Sequence, residues 1–316
     1  MTRHTDRKDG PAGGFSLSGL SSIKDASGRP AFPGKSPDSY DQMEFDQFRQ
    51  FLQEACGIAL GDNKQYLVSN RLRRLMEEHA LASFSELVRA LRQDTNRRLR
   101  DQVIDAMTTN ETFWFRDIYP FEQLAKQLLP ELMAPDKRMF GPVRIWSAAC
   151  SSGQEPYSIS MVVEEYKRQN MGALARPVQI VATDLSNTML EQARRGSYDR
   201  LSILRGLSPE RLERFFDHKP EDNSWTVRPF IRERVEFRPI NLMDSYGGLG
   251  RFDIIFCRNV LIYFDADLKR AILQKLHGAL KPGGILFLGS SEGLSAATDL
   301  FEMVKCEPGL LYKAVE

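Results

Sequence analysis

The stretch Ser147-Ala148-Ala149-Cys150-Ser151-Ser152-Gly153-Gln154-Glu155-Pro156 follows an apolar run at 143–149 and opens a helical pattern over 154–168. Pro156 suits a first helical turn, and the small residues before it let the backbone approach a ligand closely, so the segment reads as a strand, a nucleotide-type loop and a helix. Further short apolar runs lie at 178–183, 235–240, 252–257 and 285–288, with helical stretches at 186–195 and 266–280 between them. Runs of this length with little polar alternation are strands covered on both faces. The β-α-β rhythm predicts an α/β fold with a mostly parallel, doubly wound, Rossmann-like sheet. Two last runs, 301–306 and 310–315, straddle Glu307-Pro308-Gly309 and predict a closing antiparallel hairpin.

Before the run at 235 the rhythm breaks for about 40 residues, which hold a helix-like 208–216 and the triplet Trp225-Thr226-Val227. That exceeds a simple connection, and an inserted subdomain at about 197–234, a helix with a small antiparallel sheet, is expected. From 41 to 130 the apolar residues recur at helical spacing: Phe45, Phe48, Phe51 and Leu52, then Val68, Leu72, Leu75 and Met76, then Phe84, Leu87, Val88 and Leu91. Breaks at 61–63, 82–83 and 94–96 divide this into four or five short helices, a helical amino-terminal domain. Residues 1–40, rich in Gly, Ser, Pro, Asp and Lys, read as a disordered tail, with a weak docking helix at 15–24 as the alternative. The sheet domain is expected over 136–316.

With 316 residues the chain has room for about two domains at ~150 residues each. No apolar run approaches the ~18 to 20 residues that a membrane span requires, and no apolar segment follows the charged amino terminus, so a cytoplasmic protein is expected. Lys+Arg 43 against Asp+Glu 42 leaves a net charge of +1, which argues against bulk nucleic-acid binding. Four scattered cysteines and four scattered histidines give no metal-ligand spacing, so no metal is expected.

Ligands of open α/β sheets sit beyond the carboxyl ends of the strands. Gly153 stands alone, a poor match to G-x-G-x-x-G, and Glu155 falls where a dinucleotide pyrophosphate would lie. A carboxylate there repels phosphate and attracts an ammonium or sulfonium, both carried by S-adenosylmethionine. Alternatively, Glu155 only complements the helix dipole. The second run ends at Asp184, which either accepts hydrogen bonds from two ribose hydroxyls or caps the next helix. The third ends at Asn241 and Leu242, an amide for an adenine edge and an apolar cover for the ring. The fourth continues through Cys257, Arg258 and Asn259 to Tyr263.

The segments TTNETFWFRD (108–117), SAACSSGQEPYS (147–158), ATDLS (182–186) and FDIIFCRNVLIYFD (252–265) together closely resemble the CheR-type chemotaxis receptor methyltransferases, from about Phe45 to Tyr312. The resemblance implies an adenosylmethionine-dependent methyltransferase sheet, a helical amino-terminal domain and an inserted β-subdomain. It also implies methyl esterification of glutamate side chains on the helical cytoplasmic signalling domain of chemoreceptors, leaving S-adenosylhomocysteine. By matching position, Asn110, Thr112 and Arg116 resemble a lid over the cofactor. Glu155, Asp184, Asn241, Leu242, Cys257 and Arg258, with Asn259 adjacent, resemble its walls. Tyr263 resembles the residue facing the transferring methyl group, or else is an aromatic packed at a helix start. Arg116 and Tyr263 are the catalytic candidates.

A glutamate carboxylate, with a pKa near 4.3, is ionised at neutral pH and needs no general base. The enzyme must supply in-line approach at ~3 to 3.5 Å with water excluded. On the second predicted helix Arg71, Arg73 and Arg74 fall outside the apolar stripe, with Lys64 bordering it, and form a candidate docking face for an acidic receptor surface or an ordinary solvated face. Some members of the family capture a receptor's carboxy-terminal peptide as an added strand on the inserted subdomain; the turn at 217–224 here is polar and lacks glycines. The alternatives are a methyltransferase with another protein substrate, an adenosylmethionine-sensing regulator and, third, a nicotinamide dehydrogenase.

Overall fold

The structure, a computed structural model, describes residues 41–316 apart from 94–95, 135–140, 171–175, 295–296, 308 and 316. The expected tail 1–40 with its docking helix, and Pro308 of the closing turn, lie outside the described residues.

Helix α1 (Gln42–Cys56) starts on a reciprocal capping box between Asp41 and Glu44 and stops at Gly57, whose φ of 76° is left-handed. With α2 (Gln65–Glu78), α3 (Phe84–Leu91) and α4 (Arg97–Met107) it buries Phe45, Phe48, Leu52, Val68, Leu72, Leu87 and Val103 in a core of its own. That core ends at Met107, earlier than the boundary near 130 expected from periodicity. Helix α5 (Tyr119–Gln123), a π-helical turn (Leu124–Leu128) and α6 (Leu129–Met133) instead send Phe121, Leu124 and Leu129 into the core beneath the sheet. Periodicity reports that a helix has a face to bury, not which core receives it.

The sheet domain follows as β1 (Val143–Ala148), α7 (Gln154–Gln169), β2 (Val178–Asp184) and α8 (Asn187–Arg195). The insertion contributes β3 (Ser197–Tyr198), α9 (Arg200–Leu204), α10 (Pro209–Phe215), β4 (Phe216–Lys219), β5 (Ser224–Val227) and α11 (Pro229–Arg232). The chain then returns through β6 (Val235–Pro239), β7 (Phe252–Cys257), α12 (Ala266–Ala279), β8 (Leu280–Phe287), β9 (Phe301–Lys305) and β10 (Leu310–Ala314). Among the described residues the main sheet has the order β6-β2-β1-β7-β8-β10-β9. Its first five strands are parallel, with Ile145 opposite Ile180 on one side and Ile254 on the other. The strands β9 and β10 form the expected antiparallel hairpin, and β3-β5-β4 form the small antiparallel sheet expected in the insertion.

From β1 the chain builds outward through β2 to β6, and from β7 it builds the other way. The switch point therefore lies between β1 and β7, where an open sheet leaves a crevice at its carboxyl edge. The segment leading into it is held by Trp114, fully buried, whose ring meets Tyr198 and Phe216 edge-on at 4.9 and 5.3 Å and whose backbone N–H donates to the Arg205 carbonyl at 3.1 Å. Gly206 makes this approach feasible: at φ 91° a Cβ would run into the Trp114 carbonyl. The substitution Gly206→Ala is expected to lower stability by about 2 kcal/mol, read as a lower thermal midpoint.

Candidate active site

The exits of β1, β2, β6 and β7, with residues 107–116 and the end of α1, enclose a cleft of about 1040 Å³ counted to its open mouth. Asn110, Thr112, Arg116, Glu155, Asp184, Asn241, Leu242, Arg258, Asn259 and Tyr263 all line it. Cys257, expected on the same wall, does not: its side chain is fully buried in the apolar layer beneath. Strand side chains alternate between faces, so a strand that delivers its end to the cleft still sends every second side chain into the core.

The backbone around the cleft is bent into rarely used conformations. Phe115, Asp117, Ile118, Ala149, Ser151 and Asn259 all have φ between 48° and 63°. For residues with a Cβ this costs energy and persists only where the surroundings impose it.

Glu155, read from the sequence as attracting a cationic ligand or complementing the helix dipole, sits in the first turn of α7 and is held by two partners. One oxygen accepts from the Ser147 hydroxyl at 2.8 Å and the other pairs with Arg258 at 3.0 Å. The guanidinium of Arg258, 1% exposed, also pairs with Asp117 at 2.6 Å and donates to the Arg116 carbonyl at 2.9 Å. Arg258 therefore bridges the β1 exit, the β7 exit and the lid segment. Two carboxylates share this one cation, which leaves the cluster with negative charge beside the cleft.

Asp184 accepts backbone N–H bonds from Ser151 at 2.7 Å and Ser186 at 2.9 Å. The cap of α8 is Ser186, whose hydroxyl accepts from the Met189 N–H at 3.1 Å, so the capping alternative for Asp184 is set aside. Burial pushes the Asp184 carboxyl above its usual range. The amide of Asn241 is already engaged on both sides, donating to the Ala55 carbonyl at 2.8 Å and accepting from the Met243 N–H at 3.0 Å. One amide hydrogen and one lone pair remain for a ligand. The Asn110 carbonyl accepts from the Ser151 hydroxyl at 2.7 Å, tying the lid to the β1 exit.

Arg116 and Tyr263 are less committed. The Arg116 guanidinium stacks over Phe113 at 5.3 Å and donates to the Glu111 carbonyl at 3.2 Å, with no carboxylate partner among the described residues. The Tyr263 ring is half-buried against the cleft, and among the described residues its hydroxyl has no hydrogen-bond partner. Cys56 also lines the cleft, with burial pushing its thiol up to about 11, so it stays protonated. Among the described residues no group of three or more His, Cys, Asp or Glu could hold a metal ion, and no helix is long and apolar enough to cross a membrane.

Several contributors were not singled out in the sequence. Asp117 completes the Arg258 cluster, and Glu292, beyond the end of β8, accepts from the backbone of the Tyr263 segment. The sequence signal for Glu292 is a carboxylate five residues past the end of β8, the fifth parallel strand exit. Of the docking candidates, Arg74 is exposed and pairs with Glu78 at 2.8 Å, Arg73 is exposed, and Lys64 is half-buried at the start of α2. Arg71 turns inward instead, donating to the carbonyls of Met107 and Thr108 at 2.6 and 3.0 Å and to the Thr109 hydroxyl at 3.2 Å. Its long side chain reaches the unpaired carbonyls at the end of α4, where a cation is favoured.

A mixed sheet with a parallel core and an acid-walled cleft at its switch point is the architecture of an adenosylmethionine-dependent methyltransferase. Residues 110–310 match the family described as CheR methyltransferase, SAM binding domain, and residues 43–108 match CheR methyltransferase, all-alpha domain. The chain is 56% identical over 278 residues to "Chemotaxis protein methyltransferase Cher2" of Pseudomonas putida, covering 87% of this chain and 99% of that one. It is 57% identical over 271 residues to "Chemotaxis protein methyltransferase 1" of Pseudomonas aeruginosa (86% and 97%) and 35% identical over 254 residues to the "Chemotaxis protein methyltransferase" of Escherichia coli (79% and 84%). The chain belongs to the CheR methyltransferase family, and its cofactor is S-adenosylmethionine.

Two outcomes follow from this geometry. Replacing Arg258 with Ala leaves Glu155 and Asp117 without their shared cation and should cost about 3–5 kcal/mol, measured by chemical denaturation. The Asp184 carboxyl, raised in the fold above the unfolded value of 3.8, contributes stability that is fully present below that value and is lost as pH rises through the folded one. The stability of the parent protein relative to Asp184→Asn should therefore fall as pH is raised across the acid range, and a pH-independent difference would contradict the shift.

Proposed function

We propose that this protein transfers methyl groups to glutamate side-chain carboxylates on the cytoplasmic signalling helices of chemoreceptors, forming methyl esters. The observation that carries the reading is Arg116: a guanidinium that has no carboxylate partner among the described residues lines the same cleft as Glu155 and Asp184. Its planar fork suits a carboxylate, whether the cofactor's own or the acceptor's. Bound in the cleft, S-adenosylmethionine supplies an electrophilic methyl group on a sulfonium. Asp184 and Asn241 retain the hydrogen-bonding capacity to hold its polar parts, and Leu242 offers apolar cover. Glu155, held by Ser147 and Arg258, keeps a carboxylate close to the ligand's positive charge. Tyr263 orients the acceptor, and the lid at 110–116 keeps water out. An acceptor carboxylate arrives ionised, so no residue has to remove a proton.

Arg73 and Arg74 supply the outer docking face, whereas Arg71 holds the lid segment. The exposed Arg74–Glu78 pair is weak enough to exchange for a partner's carboxylate. The likeness to chemotaxis methyltransferases favours this substrate class over other proteins.

Incubation with methyl-labelled adenosylmethionine and receptor signalling fragments tests the reading. Label should appear on receptor and be released as methanol by mild base; label that survives base, or cofactor binding without transfer, would overturn it. Arg74→Glu should weaken methylation and reduce its salt dependence at unchanged cofactor affinity, while Arg71→Ala should disturb both. Arg116→Lys should lower turnover by about tenfold or more, because lysine lacks the bidentate fork.

A further inference from the structure

The turn that carries Tyr263 has a support on the far side of the sheet edge. Glu292 accepts the Asn259 N–H at 2.6 Å and the Gly289 N–H at 2.7 Å on one oxygen, and the Ile262 N–H at 3.3 Å on the other. Its carboxylate thus spans two strand exits, binding the chain just beyond β7 and just beyond β8. Two independent features show that the backbone is built around it. Asn259 is held at φ 59°, a conformation that a residue with a Cβ adopts when its surroundings impose it. Gly289 leaves room for the approach: a Cβ there would lie 2.7 Å from the Glu292 carboxylate and 2.9 Å from the Asn259 nitrogen.

The other end of the same turn is tied to the helical domain, where the Ala59 N–H donates to the Tyr263 carbonyl at 2.9 Å. The phenol itself has no hydrogen-bond partner among the described residues, so its place at the cleft is set by the backbone that carries it. We propose that Glu292 is a positioning residue for methyl transfer: its carboxylate fixes the 259–263 turn and thereby aims Tyr263 at the acceptor. The proposal rests on the role given above to Tyr263. Within hydrogen-bond reach, Glu292 meets backbone N–H donors, so it acts through the turn and not by contact with the reacting atoms.

A carboxylate that accepts three N–H bonds can be dismantled in steps. Glu292→Gln keeps an oxygen for Asn259 and Gly289 but turns an amide nitrogen, itself a donor, toward the Ile262 N–H. Glu292→Ala removes both acceptor oxygens and with them all three bonds. Steady-state methylation of receptor fragments should show kcat falling by about 10- to 100-fold in Glu292→Ala and less in Glu292→Gln, with cofactor-product affinity by calorimetry changed less than about threefold. Amide hydrogen exchange should accelerate at 259–263 in the same order, while the helical core at 45–52 keeps its protection. Equal kcat in folded parent and variants, or loss of cofactor affinity in step with kcat, would overturn the proposal. Should Glu292→Ala fail to fold, Glu292→Gln carries both readouts. If the parent itself methylates no receptor carboxylate, the substrate reading fails; unchanged exchange at 259–263 would then overturn the positioning role on its own.

Discussion

The arrangement around the cleft depends on one buried guanidinium. Arg258, at the end of β7, reaches the carboxylate of Glu155 beyond β1 and that of Asp117 in the lid segment, and also the Arg116 carbonyl. These groups come from three separate parts of the chain, and a charge this deeply buried holds each of them to a narrow geometry, since an unpaired partner would face a large desolvation penalty. The pairing does more than stabilise. It keeps the Glu155 carboxylate at the rim of the cleft in one orientation, fixed between Ser147 and Arg258.

Around that centre the backbone is forced into uncommon conformations. Left-handed residues cluster at the β1 exit, the β7 exit and residues 115–118, and three of them have a carboxylate or guanidinium restraint. Ser151 is held by the Asp184 carboxylate, Asn259 by Glu292, and Asp117 by Arg258. Carboxylates therefore fix the backbone here, and Asp184 does so while also lining the cleft. The helical domain closes the site through few contacts of high consequence, among them Ala55 to Asn241, Ala59 to Tyr263 and Asp105 to Thr188.

Much of this was legible in the sequence. Short apolar runs marked the five parallel strands: in β1, β2 and β7 burial on both faces leaves little polar alternation, whereas the edge strand β6 alternates Val235, Glu236, Phe237 and Arg238 and is only half-buried. The strand exits then located the chemistry, and motif resemblance supplied the lid. Hydrogen-bonding detail was not legible. Glu155 and Arg258 stand 103 positions apart, and nothing in either neighbourhood says that they pair. Arg71 illustrates the same limit: helical phase placed it outside the apolar stripe, yet its reach to the end of α4 engages it within the protein.

By itself, then, the sequence determined the order of elements, the parallel sheet with its insertion, and the identity of most groups around the cleft. These follow from periodicity and local chemistry, which act over a few residues. Tertiary structure alone decided which carboxylates are paired, that Cys257 is core and not wall, that the helices at 119–133 pack in the core of the sheet domain, and that Glu292 accepts backbone N–H bonds from the 259–262 segment. Each of those outcomes depends on the meeting of groups remote along the chain, and only the folded sheet edge brings them within hydrogen-bond distance.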